Sequence, residues 1–265
     1  MSRLTETELL EKYIAFNKAV PYKDFLIYPI RLCDFYDVQD ILDILQIDKN
    51  ILGQIELISM SNLRFILMIA YDEEKYRSQL DVLLRKALNI RDDYDIQFYI
   101  DDKTERLQIG KKINTIQGHI IIDENTCKNI SADDFDEIIR IILYQNVLDY
   151  SDKYVDPDVK KAADEYFRLK NKDSIKVPLE HKMICIQMKT GMSIESIGNL
   201  TIRNFLQLFN TIVEESDYVA VKFAEFNGVK FKSPIEHWAY KAKKDKYAEA
   251  FCDANAFVDK VQSVN

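Results

Sequence analysis

Apolar residues along this chain recur mostly at steps of three and four, the spacing of one face of an α-helix. Thr5 followed by Glu8 has the form of a capping box and opens a helix through Leu9, Leu10, Tyr13, Ile14 and Phe16, with Pro21 as its stop. The stretch Tyr22–Ile30 is aromatic and β-branched, which predicts a strand or hairpin edge closed by Pro29. From Arg31 the helical step returns in Leu32, Phe35, Val38, Ile41, Leu42 and Leu45. Two more helices are predicted over about 53–70 and 72–88, the latter with Tyr76, Leu80, Leu83, Leu84 and Ala87 on one face.

Between Asp92 and Asp123 the period changes. Ile96, Phe98 and Ile100 alternate with polar residues, Asp101-Asp102-Lys103 reads as a turn, Leu107 and Ile109 alternate again, and His119–Ile122 is a short apolar strand. This predicts a small antiparallel meander. Helical spacing then resumes. Ser131 caps a helix with Phe135, Ile138, Ile139, Ile142 and Leu143 inside, and Asp156-Pro157 opens another to about Lys170. Pro178 begins a helix that Gly191 ends, Ser193 begins a short one, and Thr201 caps a long one with Phe205, Leu208, Phe209, Ile212 and Val213 together. Ser233-Pro234-Ile235-Glu236 predicts a capping box before a last helix from about Ala239 to Val261. The fold class is therefore mainly α with a small antiparallel β meander (α+β). Its expected blocks are a helical one over 1–90 with a β edge near 22–30, the meander over 91–125, and a second helical block over 126–265 that stands either by itself or as one domain with 1–90.

Composition sharpens the picture. Six glycines and five prolines in 265 residues fall well below the roughly 7% and 5% of average usage, which removes the material for glycine-rich phosphate loops. The net charge of −8 weighs against a dedicated nucleic-acid binder. Cys33, Cys127, Cys185 and Cys252 are scattered without zinc spacing, and Cys33, Cys185 and Cys252 sit in apolar helical patterns, as free thiols of a reducing compartment do. The polar start shows no signal-peptide core, and the longest apolar run, Leu63–Tyr71, is too short for a membrane span and holds Arg64. A cytoplasmic protein is expected.

Candidate chemistry is sparse. His119, His181 and His237 are the three histidines, and none stands in a metalloprotease or deaminase motif. Asp34, Asp37, Asp40 and Asp43 recur every three residues, so on a helix each turns by about −60° from the last and the four fan out instead of converging on a metal. Asp92, Asp93, Asp95, Asp101 and Asp102 lack the glycine and final glutamate of a calcium loop. Glu73-Glu74-Lys75 and Glu180-His181-Lys182 carry half of a nuclease pattern, but on helices and without the partner aspartate strand. No phosphate-binding glycine motif is present. The expectation is no catalytic residue, no metal and no cofactor. One basic, aromatic patch remains as a candidate interaction surface: Trp238, Tyr240, Lys241, Lys243, Lys244, Lys246 and Tyr247. Its plain reading is a solvated helix face whose lysines balance Glu249 and Asp253.

Four stretches resemble proteins of tailed phages that infect Gram-positive bacteria: Tyr22–Arg31 (YKDFLIYPIR), Asp134–Asn146 (DFDEIIRIILYQN), Ser193–Phe205 (SIESIGNLTIRNF), and Asn227–Lys232 (NGVKFK) with Glu236-His237-Trp238. None is a functional motif, and the resemblance lies in their order along one chain. It implies a tail-assembly chaperone or a tail or baseplate structural subunit. The implied partners are tape-measure, tail-tube or baseplate proteins or further copies of itself, and the implied place is the host cytoplasm or the virion tail. The rivals are a nucleic-acid accessory protein using the patch from Trp238 to Tyr247, and a hydrolase using His119 or His237 as base.

Overall fold

The computed structural model describes residues 3–101, 104–116, 119–153, 155–170, 177–231 and 234–240. The chain is mainly α with a small antiparallel β part. It divides into two compact units, one of residues 1–152 with 198–203, the other of residues 153–197 with 204–265.

In the first unit the capping box forms as the sequence predicts. Glu8 N donates to Thr5 Oγ1 at 3.2 Å and Thr5 N to Glu8 Oε2 at 3.1 Å, opening α1 (Glu6–Glu8). The helix then loosens to π turns over Leu9–Tyr13 and tightens to a 3-10 turn over Ile14–Phe16. It stops at Asn17, in the left-handed region at φ 54°, and not at Pro21. Pro21 lies instead in β1 (Val20–Tyr22), which pairs with β2 (Phe25–Ile27) around Lys23-Asp24. A two-residue turn needs positive φ, and Lys23 supplies it at 49°.

The helix expected from Arg31 is split: a 3-10 helix over Leu32–Asp37 gives way at Val38 to α2 (Gln39–Ile44). The helix expected over 53–70 is also two, α3 (Ile55–Ser59) and α4 (Asn62–Asp72), because Met60 and Ser61 are extended and the Ser61 hydroxyl caps α4 by accepting from Arg64 N at 3.0 Å. A serine side chain that competes for backbone donors makes a start out of what the apolar period reads as a middle. α5 (Glu74–Ala87) buries Leu80, Leu83, Leu84 and Ala87 as expected, and its Gln79 accepts from Ile41 N at 3.0 Å to fix α2.

The meander comprises β3 (Tyr94–Ile100), β4 (Glu105–Ile116) and β5 (His119–Ile122), with a further strand the alternation missed, β6 (Lys128–Ser131). β6 pairs with Arg106–Ile109 of β4, and β5 with Lys112–Ile116. The two behave as one antiparallel strand interrupted by Asp123–Cys127. A bulge between Lys112 and Asn114 bends β4, and Gln97 Nε2 on β3 reaches Ile120 O on β5 at 2.7 Å. Gly110 stands at this bend: a Cβ there would lie 2.8 Å from Cys127 Sγ and 2.9 Å from Ile122 Cβ. The apolar face of the sheet, Ile96, Leu107, Ile109 and Ile130, is buried, with α4 against β4. Ser131 caps α6 (Ala132–Asn146), which also lies against β4 and β6 and is buried on all sides from Ile138 to Asn146. Residues 198–203 complete the unit. Leu32 N donates to Leu200 O at 2.8 Å, and Ile202 N to Ile30 O at 3.0 Å.

The second unit is helical: α7 (Pro157–Lys170), α8 (Leu179–Thr190), most of α9 (Ile194–Gly198), and α10 (Ile202–Phe226) from Asn204 onward. Asp156 caps α7 by accepting from Asp158 N at 3.0 Å, and Gly191 ends α8 at φ 73°. Pro234–His237 carry no helix, and Trp238–Tyr240 form one 3-10 turn. The helix expected onward to Val261 falls outside the described residues. No described helix is long and apolar enough to cross a membrane.

The clash at Gly110 gives the first prediction. Gly110→Val should destabilise the first unit by about 1–3 kcal/mol, the cost of overpacking a filled site. Urea unfolding of the variant should show a lowered midpoint with little change of slope.

Candidate functional site

The sequence singles out the patch at Trp238–Tyr247. Of it the structure describes Trp238 and the backbone of Tyr240; Lys241, Lys243, Lys244, Lys246 and Tyr247 lie outside the described residues. What is described is a small aromatic group. The His237 ring stacks on Trp238 at 5.4 Å and meets the Tyr218 ring of α10 edge-on at 4.8 Å, while His237 Nδ1 accepts from Ala239 N at 3.2 Å.

The other histidines stand apart from it. His119 is exposed at the start of β5, and His181 is exposed on α8. The aspartates at 34, 37, 40 and 43 do not form one α-helical fan, because Asp34 and Asp37 lie on the 3-10 helix, where residues three apart share a face. Asp34 pairs with Lys86 at 3.0 Å, Asp40 pairs with Lys75 and accepts from Gln79, and burial pushes the Asp43 carboxyl up. Among the described residues no group of three or more His, Cys, Asp or Glu is placed to hold a metal ion. Cys33 differs from expectation. It is exposed, because the 3-10 helix that carries it turns by a third of a circle per residue and puts Leu32, not Cys33, inside.

The far half of α10 carries a group of exposed apolar side chains. Phe209, Ile212, Ser216, Val219, Phe223 and Phe226 recur at alternating steps of three and four and so form one stripe. α8 runs beside the first half. Lys182 lies over the Phe209 ring at 5.4 Å, and Lys189 meets Glu215 at 3.6 Å, one residue before α8 ends. Exposure along the stripe then climbs from 8% at Ile212 to 54% at Val219, 69% at Phe223 and 88% at Phe226. After Phe226 the chain turns at Gly228 (φ 91°), and Val229 and Phe231 add exposed apolar side chains at the same end.

The densest polar constellation is one the sequence reading missed. Arg140 of α6 is buried and donates to Asp152, to Glu137 Oε1 at 2.6 Å and to Leu4 O at 3.0 Å. Tyr144 Oη donates to Asp152 Oδ1 at 2.6 Å, and Arg3 bridges Glu137 and Asp152 at 3.0 Å each. Burial alone pushes the Asp152 carboxyl up. Hydrogen bonds from Tyr144 and Arg140 and the charges of Arg140 and Arg3 outweigh that and hold it below its usual range. Burial, reinforced by the Asp152 charge, pushes the neighbouring Tyr150 phenol up to about 12. Every charged member has an opposite partner, and the group ties the N-terminal segment to α6. Its chemistry is that of a clasp.

One signal pointed to it: arginine, tyrosine, glutamine and asparagine inside the apolar run of residues 138–146. A helix with polar residues on what would be its buried faces must supply them with partners.

Asp152 carries a pH dependence of known sign. Its depressed carboxyl adds stability that is present above the unfolded value near 4 and is lost as pH falls through the lower folded value. Asp152→Asn should lower stability by about 1.5–3 kcal/mol at neutral pH, the range for hydrogen bonds to charged groups. The deficit should shrink below about pH 4. Urea titrations at the two pH values, read by hydrogen exchange in α6, check both parts.

Comparison of the chain with protein-family models, with curated proteins and with solved structures finds no match.

Proposed function

We propose that this chain is a non-enzymatic tail protein of a phage infecting Gram-positive bacteria, working as an assembly chaperone or as a tail or baseplate subunit through protein–protein surfaces. The phage setting rests on the ordered resemblance of Tyr22–Arg31, Asp134–Asn146, Ser193–Phe205 and Asn227–Trp238. The observation that carries the mode of action is the stripe on α10, where Val219, Phe223 and Phe226 stand exposed in line with residues that α8 covers. Large apolar side chains grouped in this way mark places where another polypeptide sits. The ionisable groups of the clasp at Asp152 are paired with one another, which suits a structural part better than a reacting one.

Affinity capture of the tagged chain from infected cells, read by mass spectrometry, is the test. A tail-tube, tape-measure or baseplate protein should co-purify. A chaperone should then be missing from purified virions, and a structural subunit should remain in them. Capture that yields no tail component would overturn the reading. Salt-sensitive DNA or RNA binding that falls on Lys243→Glu with Lys244→Glu would replace it with the nucleic-acid alternative.

A further inference from the structure

The stripe on α10 is a row of apolar side chains buried towards its start and open towards its end. Alternate steps of three and four residues are the a and d positions of a heptad, whose knobs fit between side chains of a second helix lying alongside. With Phe209, Ser216 and Phe223 at a, and Ile212, Val219 and Phe226 at d, the seam keeps strict register over its whole length. α8 touches α10 through Lys182 over the Phe209 ring and Lys189 with Glu215, and stops at Gly191. α10 continues for eleven residues beyond Glu215, about 16 Å at 1.5 Å per residue. The described chain after α10 does not fill the gap, since at His237 it has come level with Tyr218 while Val219, Phe223 and Phe226 stay open.

We propose that the occupant of this open half-seam is the same half-seam of a second copy of the chain, the two α10 ends packing in parallel about a two-fold axis. The proposal rests on the reading of the stripe as a protein interface and names its partner. Three observations favour a copy of the chain in this direction. The exposed residues keep heptad spacing, so a helix with the same spacing is the shape the open face fits, and α10 itself has that spacing. In parallel register Val219, Phe223 and Phe226 each meet their own counterpart. The flanking positions are also compatible: Lys222 at g faces Asn227 at e, and Glu215 at g faces Ala220 at e, so no like charges meet. An antiparallel pair centred on the exposed residues would set Lys222 against Lys222.

Area sets the strength. Aromatic side chains bury on the order of 150–250 Å² each. Val219, Phe223 and Phe226, with Val229 and Phe231 beside them, therefore offer on the order of 500 Å² per copy. The total of about 1,000 Å² lies at the lower limit for a specific interface. A reversible dimer with a dissociation constant in the micromolar range follows.

Sedimentation of the purified full chain over about 1–100 μM tests this directly, a span centred on a micromolar constant. The weight-average mass should climb from one chain towards two. Phe223→Asp should weaken association by at least about tenfold, the effect of 1.4 kcal/mol. Phe223 is exposed, so the variant should keep the hydrogen-exchange pattern of α6 and α8. A Val219→Cys chain should form a disulfide that joins position 219 of one copy to position 219 of another. A mass that stays at one chain overturns the proposal, and alkylation of the Val219→Cys thiol then shows why. A blocked thiol means that residues after Tyr240 cover the seam, and an open one means that it awaits a different protein. A dimer that Phe223→Asp leaves intact also overturns it, by placing the contact elsewhere. Both tests use the purified chain alone, so their failure is distinguishable from failure to capture a tail protein.

Discussion

Burial of α6 on all sides from Ile138 to Asn146 is the constraint on which the first unit depends. A helix that faces protein on all sides cannot hand its polar side chains to water, so each must be matched within the fold. Gln145 donates to Ile27 O at 2.9 Å, and Asn146 accepts from Ile30 N at 2.9 Å, which fixes the chain on leaving the first hairpin. Arg140 and Tyr144 hold Asp152 and, through Leu4 O, the N-terminal segment. Arg203 donates to Tyr144 O and Val147 O at 2.9 and 2.8 Å, satisfying carbonyls at the end of α6 that have no helical partner, even though burial pushes its own guanidinium towards the neutral form. Four segments distant in sequence are thus positioned by one helix.

The pattern of apolar residues revealed where most of the described helices lie and which sides they bury, and it was weakest where a side chain competes with the backbone. The stretch around Ser61 has an unbroken helical period, yet a single hydroxyl starts a new helix there. At Asn17 a left-handed residue ends the 3-10 turn of Ile14–Phe16 ahead of the proline that seemed the stop. β6 was hidden because Lys128-Asn129-Ile130-Ser131 carries one buried side chain, and its pairing is dictated by β4, not by its own alternation. The clasp was hidden for a different reason. Arg3, Glu137, Arg140 and Asp152 look like ordinary solvated charges until the chain has folded and brought them together.

The two units differ in how they are held. The first combines an apolar interior with many internal polar contacts around α6, though Asp136 Oδ1 and Gln145 Oε1 on that helix are buried without a hydrogen-bond partner. In the second, the buried apolar positions among the described residues are few: Ala163, Ile186, Ile197, Phe205 and Ile212. A helical unit with so small an interior gains from covering its outer faces, and α10 presents such a face in Val219, Phe223 and Phe226. The heptad spacing of that helix was present in the sequence as phenylalanines, but only the end of α8 at Gly191 shows which part of it is spare.

The place of residues 198–203 in the first unit bears on how the protein comes off the ribosome. Arg203 and the backbone of Leu200 and Ile202 reach α6 and the chain around Arg31 from the far side of forty-five residues that belong to the other unit. A nascent chain that ends at Asp152 therefore has α6 with open carbonyls. Translation must pass through the whole of residues 153–197 before the missing piece emerges. The first unit is made first and completed late, and until then the carbonyls of Tyr144 and Val147 at the end of α6 lack the donors that Arg203 brings.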